Sequence, residues 1–132
     1  MSTLSANRIG AITEEIIITE LLKHDISVSR PVMDEPYDLI AEKNGKCFRI
    51  QCKTAHSRRK GTVRFRTTSE SGDYIGLIDY FATEHSGNAY FLHVNEVSKG
   101  YQELRIHENG KRSTSKMLKN YSIKNFLPNF KQ

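Results

Sequence analysis

Cysteine is scarce in this chain, with two among 132 residues, Cys47 and Cys52. They lie an odd number of positions apart on what reads as one strand, so they point to opposite faces. A disulfide between them is therefore not expected, and a reduced, cytoplasmic setting is. None of the five histidines shares a zinc-ligand spacing with a cysteine. No apolar run approaches the roughly 20 residues that span a bilayer. The N-terminus also lacks a basic-then-apolar secretory pattern, so no membrane partner is expected. Repeats, low-complexity tracts and linkers are missing too. Residues 1–132 read as a single domain, long enough for one core without a disulfide or structural metal.

Basic residues are in excess. Twenty Lys and Arg against 15 Asp and Glu give a formal charge of +5, which favours a polyanionic partner. The apolar spacing of Ile9, Ile12, Ile16, Ile17, Leu21 and Leu22 predicts a helix over 7–24, capped by Asn7 or Ser5. Ile18 adds a further apolar face, so this helix is expected to be buried over much of its circumference. A short strand over 26–32 follows, pushed to a sheet edge by Pro31. Strands are expected near 37–43 and 46–54, joined by Asn44-Gly45, then over 62–67, 77–83, 89–95 and 102–106, the last ending at Asn109-Gly110. Residues 69–72 read as a loop. Met117, Leu118, Tyr121 and Ile123 suit a short helix that Pro128 ends. The order predicts a mixed α+β (α/β) fold with a central, mostly antiparallel sheet flanked by helices.

The chemistry concentrates in the first hairpin. With Asn44 and Gly45 as the turn, Lys43 faces Lys46, Asp38 faces Gln51, and Lys53 points the same way. Leu39 and Ala41 against Phe48 and Ile50 make the other face, which is core. A carboxylate, a carboxamide and an ammonium thus share one patch. Asp38 is a hard oxygen donor suited to Mg²⁺, and Gln51 offers a carbonyl oxygen without charge. Lys53 is suited to orienting water or to stabilising charge on a phosphate. Upstream, Glu14 sits among Gly10, Ile17, Ile18 and Leu21, where a buried carboxylate needs a partner or a cation. Glu15 has a similar ring, and periodicity does not choose between them. Gly10 suggests a close approach at that point of the helix.

Gly10-x-x-x-Glu14, Pro36-x-Asp38 and Gln51-x-Lys53-Thr54-Ala55, in that order, resemble the PD-(D/E)xK nuclease superfamily. The short spacings, Ile78-Asp79-Tyr80-Phe81-Ala82 with the Tyr90–Val94 strand, and Leu104-Arg105-Ile106 with Asn120-Tyr121 are similar to one branch of it. That branch holds group I intron homing endonucleases and archaeal-type Holliday junction resolvases. The resemblance spans about residues 8–123. It implies a restriction-endonuclease-like fold and a Mg²⁺-dependent endodeoxyribonuclease, with Mn²⁺ as a substitute. It further implies Asp38 as principal metal ligand, with Glu14, Gln51 and the backbone carbonyl of Cys52 beside it, and Lys53 positioning the attacking water. Gln51 departs from the usual acidic residue, a departure that the homing-endonuclease branch shares.

Arg58, Arg59, Lys60, Arg64 and Arg66 follow the hairpin and are expected to contact DNA phosphates. Lys111, Arg112, Lys116, Lys119 and Lys124 read mainly as solvated surface. Ile78, Tyr80, Ala82, Asp79 and Phe81 read as sheet patterning, and Tyr74 and Tyr101 as exposed rings able to stack on bases. The expected activity is site-specific, homing-type double-strand cleavage by a homodimer or homotetramer. The alternatives are a Holliday junction resolvase on the same fold and a DNA-binding module without catalysis.

Overall fold

The computed structural model describes residues 3–57, 59–107 and 116–132. Arg58, Lys111, Arg112 and the Asn109-Gly110 turn lie outside the described residues.

Helix α1 runs Ala6–Lys23, with Ser5 as its cap, accepting from the Arg8 N–H at 3.2 Å. Its end is a Schellman closure: Asp25 takes φ 60°, its N–H bonds Leu22 O, and Ile26 N–H reaches Leu21 O. Aspartate tolerates that left-handed conformation better than most residues, and Ile26 is then buried behind the turn. The helix is less enclosed than its isoleucines suggest. Thr13, Ile17 and Leu21 are buried, whereas Ile9, Ile12 and Leu22 are exposed. The buried stripe runs at i, i+4, i+8, with Ile18 packed partly buried beside it, and Ile9, Ile12 and Leu22 fall on the outer side.

The strands and a second α-helix follow in chain order. β1 spans Ser27–Ser29, β2 Leu39–Lys43, β3 Lys46–Cys52, β4 Thr62–Arg66, β5 Thr68–Ser69 and β6 Gly72–Asp73. β7 spans Tyr80–His85, β8 Asn88–His93, β9 Tyr101–Arg105, β10 Lys116–Met117 and helix α2 Ile123–Phe126. The main sheet has the order β1-β2-β3-β7-β8, and a second has β10-β9-β4. Two contacts are parallel, β3 with β7 and β10 with β9, so the sheet is mixed. The expected 69–72 loop is the turn of the β5–β6 hairpin. Pro128 does not end a helix but opens the 3₁₀ turn Leu127–Phe130, where its missing N–H is no loss.

The β2–β3 register is the one the Asn-Gly turn dictates. Lys43 faces Lys46, Ala41 faces Phe48 and Leu39 faces Ile50, and both turn residues have positive φ, 56° and 77°, as a type I′ turn requires. Below β7, Asp79 links three segments. Its Oδ2 accepts from the Arg49 N–H at 2.7 Å and its Oδ1 from Arg49 Nη2 at 3.2 Å. Burial alone would raise its pKa, but the Arg49 hydrogen bonds and charge hold it below the usual value. The sheet-patterning expectation holds for Ile78, Tyr80, Phe81 and Ala82, all buried; Asp79 is instead the anchor for Arg49.

Two apolar layers enclose the main sheet. On one face α1 and the C-terminal turns cover Leu39, Ala41, Ile50, Tyr80 and Phe91, and Phe126 stacks on Phe91 at 4.2 Å. On the other, the β10-β9-β4 sheet packs Val63, Phe65 and Leu104 onto Phe81 and Leu92. The strand ends near Asp38 and Cys52 stay between these layers, at the margin of both.

Candidate active site

Asp38 leaves the ladder just before β2 begins. Its N–H bonds the Ile50 carbonyl at 2.8 Å, and its side chain turns back along β3, where Oδ2 accepts from the Cys52 N–H at 2.9 Å. Gln51 stands beside it. Hydrogen bonding sets its carboxamide with Nε2 toward Pro36 O at 2.6 Å and Asp38 Oδ2 at 3.2 Å, since the opposite setting would face oxygen with oxygen. Both side-chain bonds to Asp38 fall on Oδ2; Oδ1 accepts none among the described residues. Lys53 follows, fixed by its N–H to Ala82 O at 2.8 Å. Its Nζ lies 3.4 Å from Tyr74 Oη and 5.2 Å from the centre of that ring.

Asp38 is half-buried, and its carboxyl titrates above the ordinary aspartate value. Burial is the largest cause and the Glu14 charge adds to it, while the Cys52 N–H and the Lys53 charge pull the other way. Burial, with Asp38 and Glu14 nearby, pushes the Cys52 thiol well up, so the thiol stays protonated.

The Glu14 charge acts on Asp38 and Cys52, whereas Glu15 lines a depression between α1 and the β7–β8 turn with Ala11, Ile12 and Gly87. Arg30 grips both. Its Nε donates to Glu14 Oε1 at 3.0 Å and its Nη2 to Glu15 Oε1 at 2.6 Å. Nothing in the spacing of residues 14 and 30 announces this pairing; the β1–β2 register brings it about. The helix is also tied to the segment after β3 by Thr13 Oγ1 and Thr54 Oγ1, 3.1 Å apart. Gly10 makes no close approach: a Cβ there would meet nothing within 4 Å. Arg30→Ala is expected to change the unfolding free energy by no more than about 1 kcal/mol, because both ion pairs stand in water. Urea unfolding measures this; a loss several times larger would mean that the clamp holds α1 to the sheet.

Asp38, Gln51, Glu14 and Lys53 thus converge where α1, β2 and β3 meet. No group of three or more His, Cys, Asp or Glu side chains suited to a metal occurs among the described residues. The donor set here is two carboxylates and a carboxamide, which suits Mg²⁺, an ion that takes few protein oxygens and keeps several waters.

The basic run divides. Arg64 and Arg66 point outward from β4, as expected, while Val63 and Phe65 are buried. Arg59 is paired with Glu103, and Lys60 is exposed. Tyr74 is not a surface ring. It is buried against Phe81, because the β5–β6 hairpin turns the chain back beneath Lys53. Tyr101 is exposed, but the Arg64 guanidinium lies over its face, 4.1 Å from the ring centre.

Compared with known proteins, the chain matches the family profile described as PD-(D/E)XK endonuclease over residues 4–122. No curated protein sequence matches it. Among solved structures it is similar to a bacterial homing endonuclease, I-Ssp6803I, at 22% identity and a TM-score of 0.74. That likeness covers 96% of this chain and 92% of the other, and at this identity it is one of fold.

Proposed function

The chain belongs to the PD-(D/E)XK endonuclease family, and on that footing we propose that it is a divalent-metal-dependent, site-specific DNA endonuclease of the homing type. The observation that carries this reading is the convergence of Asp38, Glu14, Gln51 and Lys53 at one margin of the sheet. Asp38 Oδ1, Glu14, the Gln51 carboxamide oxygen and the Cys52 carbonyl would hold Mg²⁺, with Mn²⁺ as a substitute. Such an ion supplies Lewis-acid stabilisation of charge on the scissile phosphate. The Gln51 carboxamide must turn over to present its oxygen, exchanging its bonds to Pro36 and Asp38 for the cation. Lys53, steadied by Tyr74, orients the attacking water and offsets negative charge. Arg30 holds Glu14 at the site's edge, with Glu15 as the second anchor. Each site handles one phosphodiester, so double-strand cleavage calls for a homodimer or homotetramer.

The test uses the full chain with Mg²⁺ or Mn²⁺, a randomised duplex pool and a synthetic four-way junction, with Asp38→Ala and Lys53→Ala in parallel. Cleavage of one duplex sequence, lost in both variants, is the expected result. Cutting of the junction whatever its sequence would replace the homing reading with a resolvase. Duplex binding without cleavage by any form would replace it with a non-catalytic DNA-binding module. Cleavage that survived both substitutions would reject the site.

A further inference from the structure

A groove of about 570 Å³ opens beside Lys53, and Lys53, His56, Ser57, Arg64, Arg66 and Tyr101 are among the residues that line it. Among the described residues, no carboxylate lines it. Its two walls are joined by backbone: His56 N–H bonds Arg64 O at 2.8 Å and Arg64 N–H bonds His56 O at 2.9 Å. The segment that carries Lys53 is therefore held directly against β4, and the spacing between Lys53 and Arg64 is fixed by the fold.

Arg64 is prepared for an anion in two ways. Glu103 stands directly opposite it on β9, the position from which a carboxylate would ordinarily neutralise it. That carboxylate is instead taken by Arg59, and no described carboxylate pairs with Arg64. Tyr101, directly opposite Arg66 and so diagonal to Arg64, supports the guanidinium on its ring at 4.1 Å. A guanidinium lying flat on an aromatic face keeps its N–H edge free while losing rotamer freedom.

We infer that this groove is a phosphate subsite for the DNA strand being cut, in which Arg64, held on Tyr101, binds the phosphodiester flanking the scissile one. The inference rests on the endonuclease reading and adds what the basic run alone does not contain. Arg59 acts by occupying Glu103, and Tyr101 acts by positioning Arg64 and has no base of its own to stack on.

The test is duplex binding by the full chain in EDTA, followed by fluorescence anisotropy over a KCl series. Arg64→Ala is expected to reduce the slope of log K against log[KCl] by about 0.9, the value for one lost phosphate contact. Lys124→Ala, on α2 across the sheet, is expected to leave the slope unchanged. Tyr101→Leu is expected to weaken binding by about three- to tenfold, the scale of one cation–π contact, and Tyr101→Phe to keep wild-type binding. In the Arg64→Ala background Tyr101→Leu is expected to have no further effect. An equal loss in both backgrounds would show that the ring contacts DNA itself and would overturn the inference, as would an unchanged slope for Arg64→Ala. A wild-type protein without salt-dependent duplex binding would instead reject the endonuclease reading, and the subsite with it. Thermal melting of each variant separates a lost contact from a lost fold.

Discussion

Asp38→Asn is expected to lower cleavage by about 10³-fold while leaving the protein at least as stable as wild type at neutral pH. The two effects share one cause. In the proposed site Asp38 is a charged oxygen donor, yet it lies where burial and the Glu14 charge oppose ionisation, so its pKa is raised. A carboxyl whose folded pKa is raised favours the folded state at pH below its unfolded value. That contribution is lost as the pH rises through the folded value. At neutral pH the ionised Asp38 therefore costs stability. Asparagine removes the charge and keeps the fold's own contacts, because the Cys52 and Gln51 bonds both fall on Oδ2, where an amide oxygen can sit. Thermal melts at neutral pH are expected to place the variant at or above wild type. The gap should close below roughly pH 4, where an aspartate is protonated. A variant that melted lower at every pH would mark Asp38 as a structural residue.

The hairpin was legible because two local rules agreed. Asn44-Gly45 fixes the turn, and period-two alternation then assigns Leu39, Ala41 and Ile50 to the core and Gln51 to the Asp38 side. Arg64 and Arg66 could be read outward for the same reason. What sequence alone did not reveal depends on contacts distant in the chain. Glu14 and Glu15 have nearly equivalent helical rings, and only the docking of α1 across β7 and β8 separates them. Arg30 becomes a clamp because β1 pairs with β2, a register with no turn signal to set it. Tyr74 reads as a surface ring in a polar stretch, and it is buried because a two-residue hairpin folds that stretch under the sheet. The overestimated burial of α1 has a similar origin. Apolar periodicity shows which positions are alike, but not how wide a face the neighbouring layer covers. Lys116 likewise looked like plain surface, yet it lies 5.8 Å from the Tyr121 ring and donates to Glu96 O.

Lys53→Ala is expected to lower cleavage by about 10²–10³-fold, the cost of removing one pre-aimed electrostatic group, without weakening duplex binding to the same extent. Lys53→Arg should not restore the rate. A planar guanidinium carries the charge but cannot reproduce the compact ammonium beside Tyr74. Tyr74→Phe separates positioning from chemistry. The ring and its packing on Phe81 remain, so the cation–π contact at 5.2 Å survives and only the long 3.4 Å contact to Oη is lost. A hydrogen bond of that kind is worth about 0.5–1.5 kcal/mol, so the rate is expected to fall about two- to tenfold. Tyr74→Ala removes the ring as well and leaves a cavity beneath Phe81, costing about 3–5 kcal/mol as for other large core aromatics. Single-turnover cleavage with saturating enzyme isolates the chemical step in each variant. A Tyr74→Phe rate as low as that of Lys53→Ala would mean that the hydroxyl itself acts in the reaction. A wild-type rate would mean that the ring alone holds Lys53 in place, with packing rather than hydrogen bonding setting the position of the ammonium.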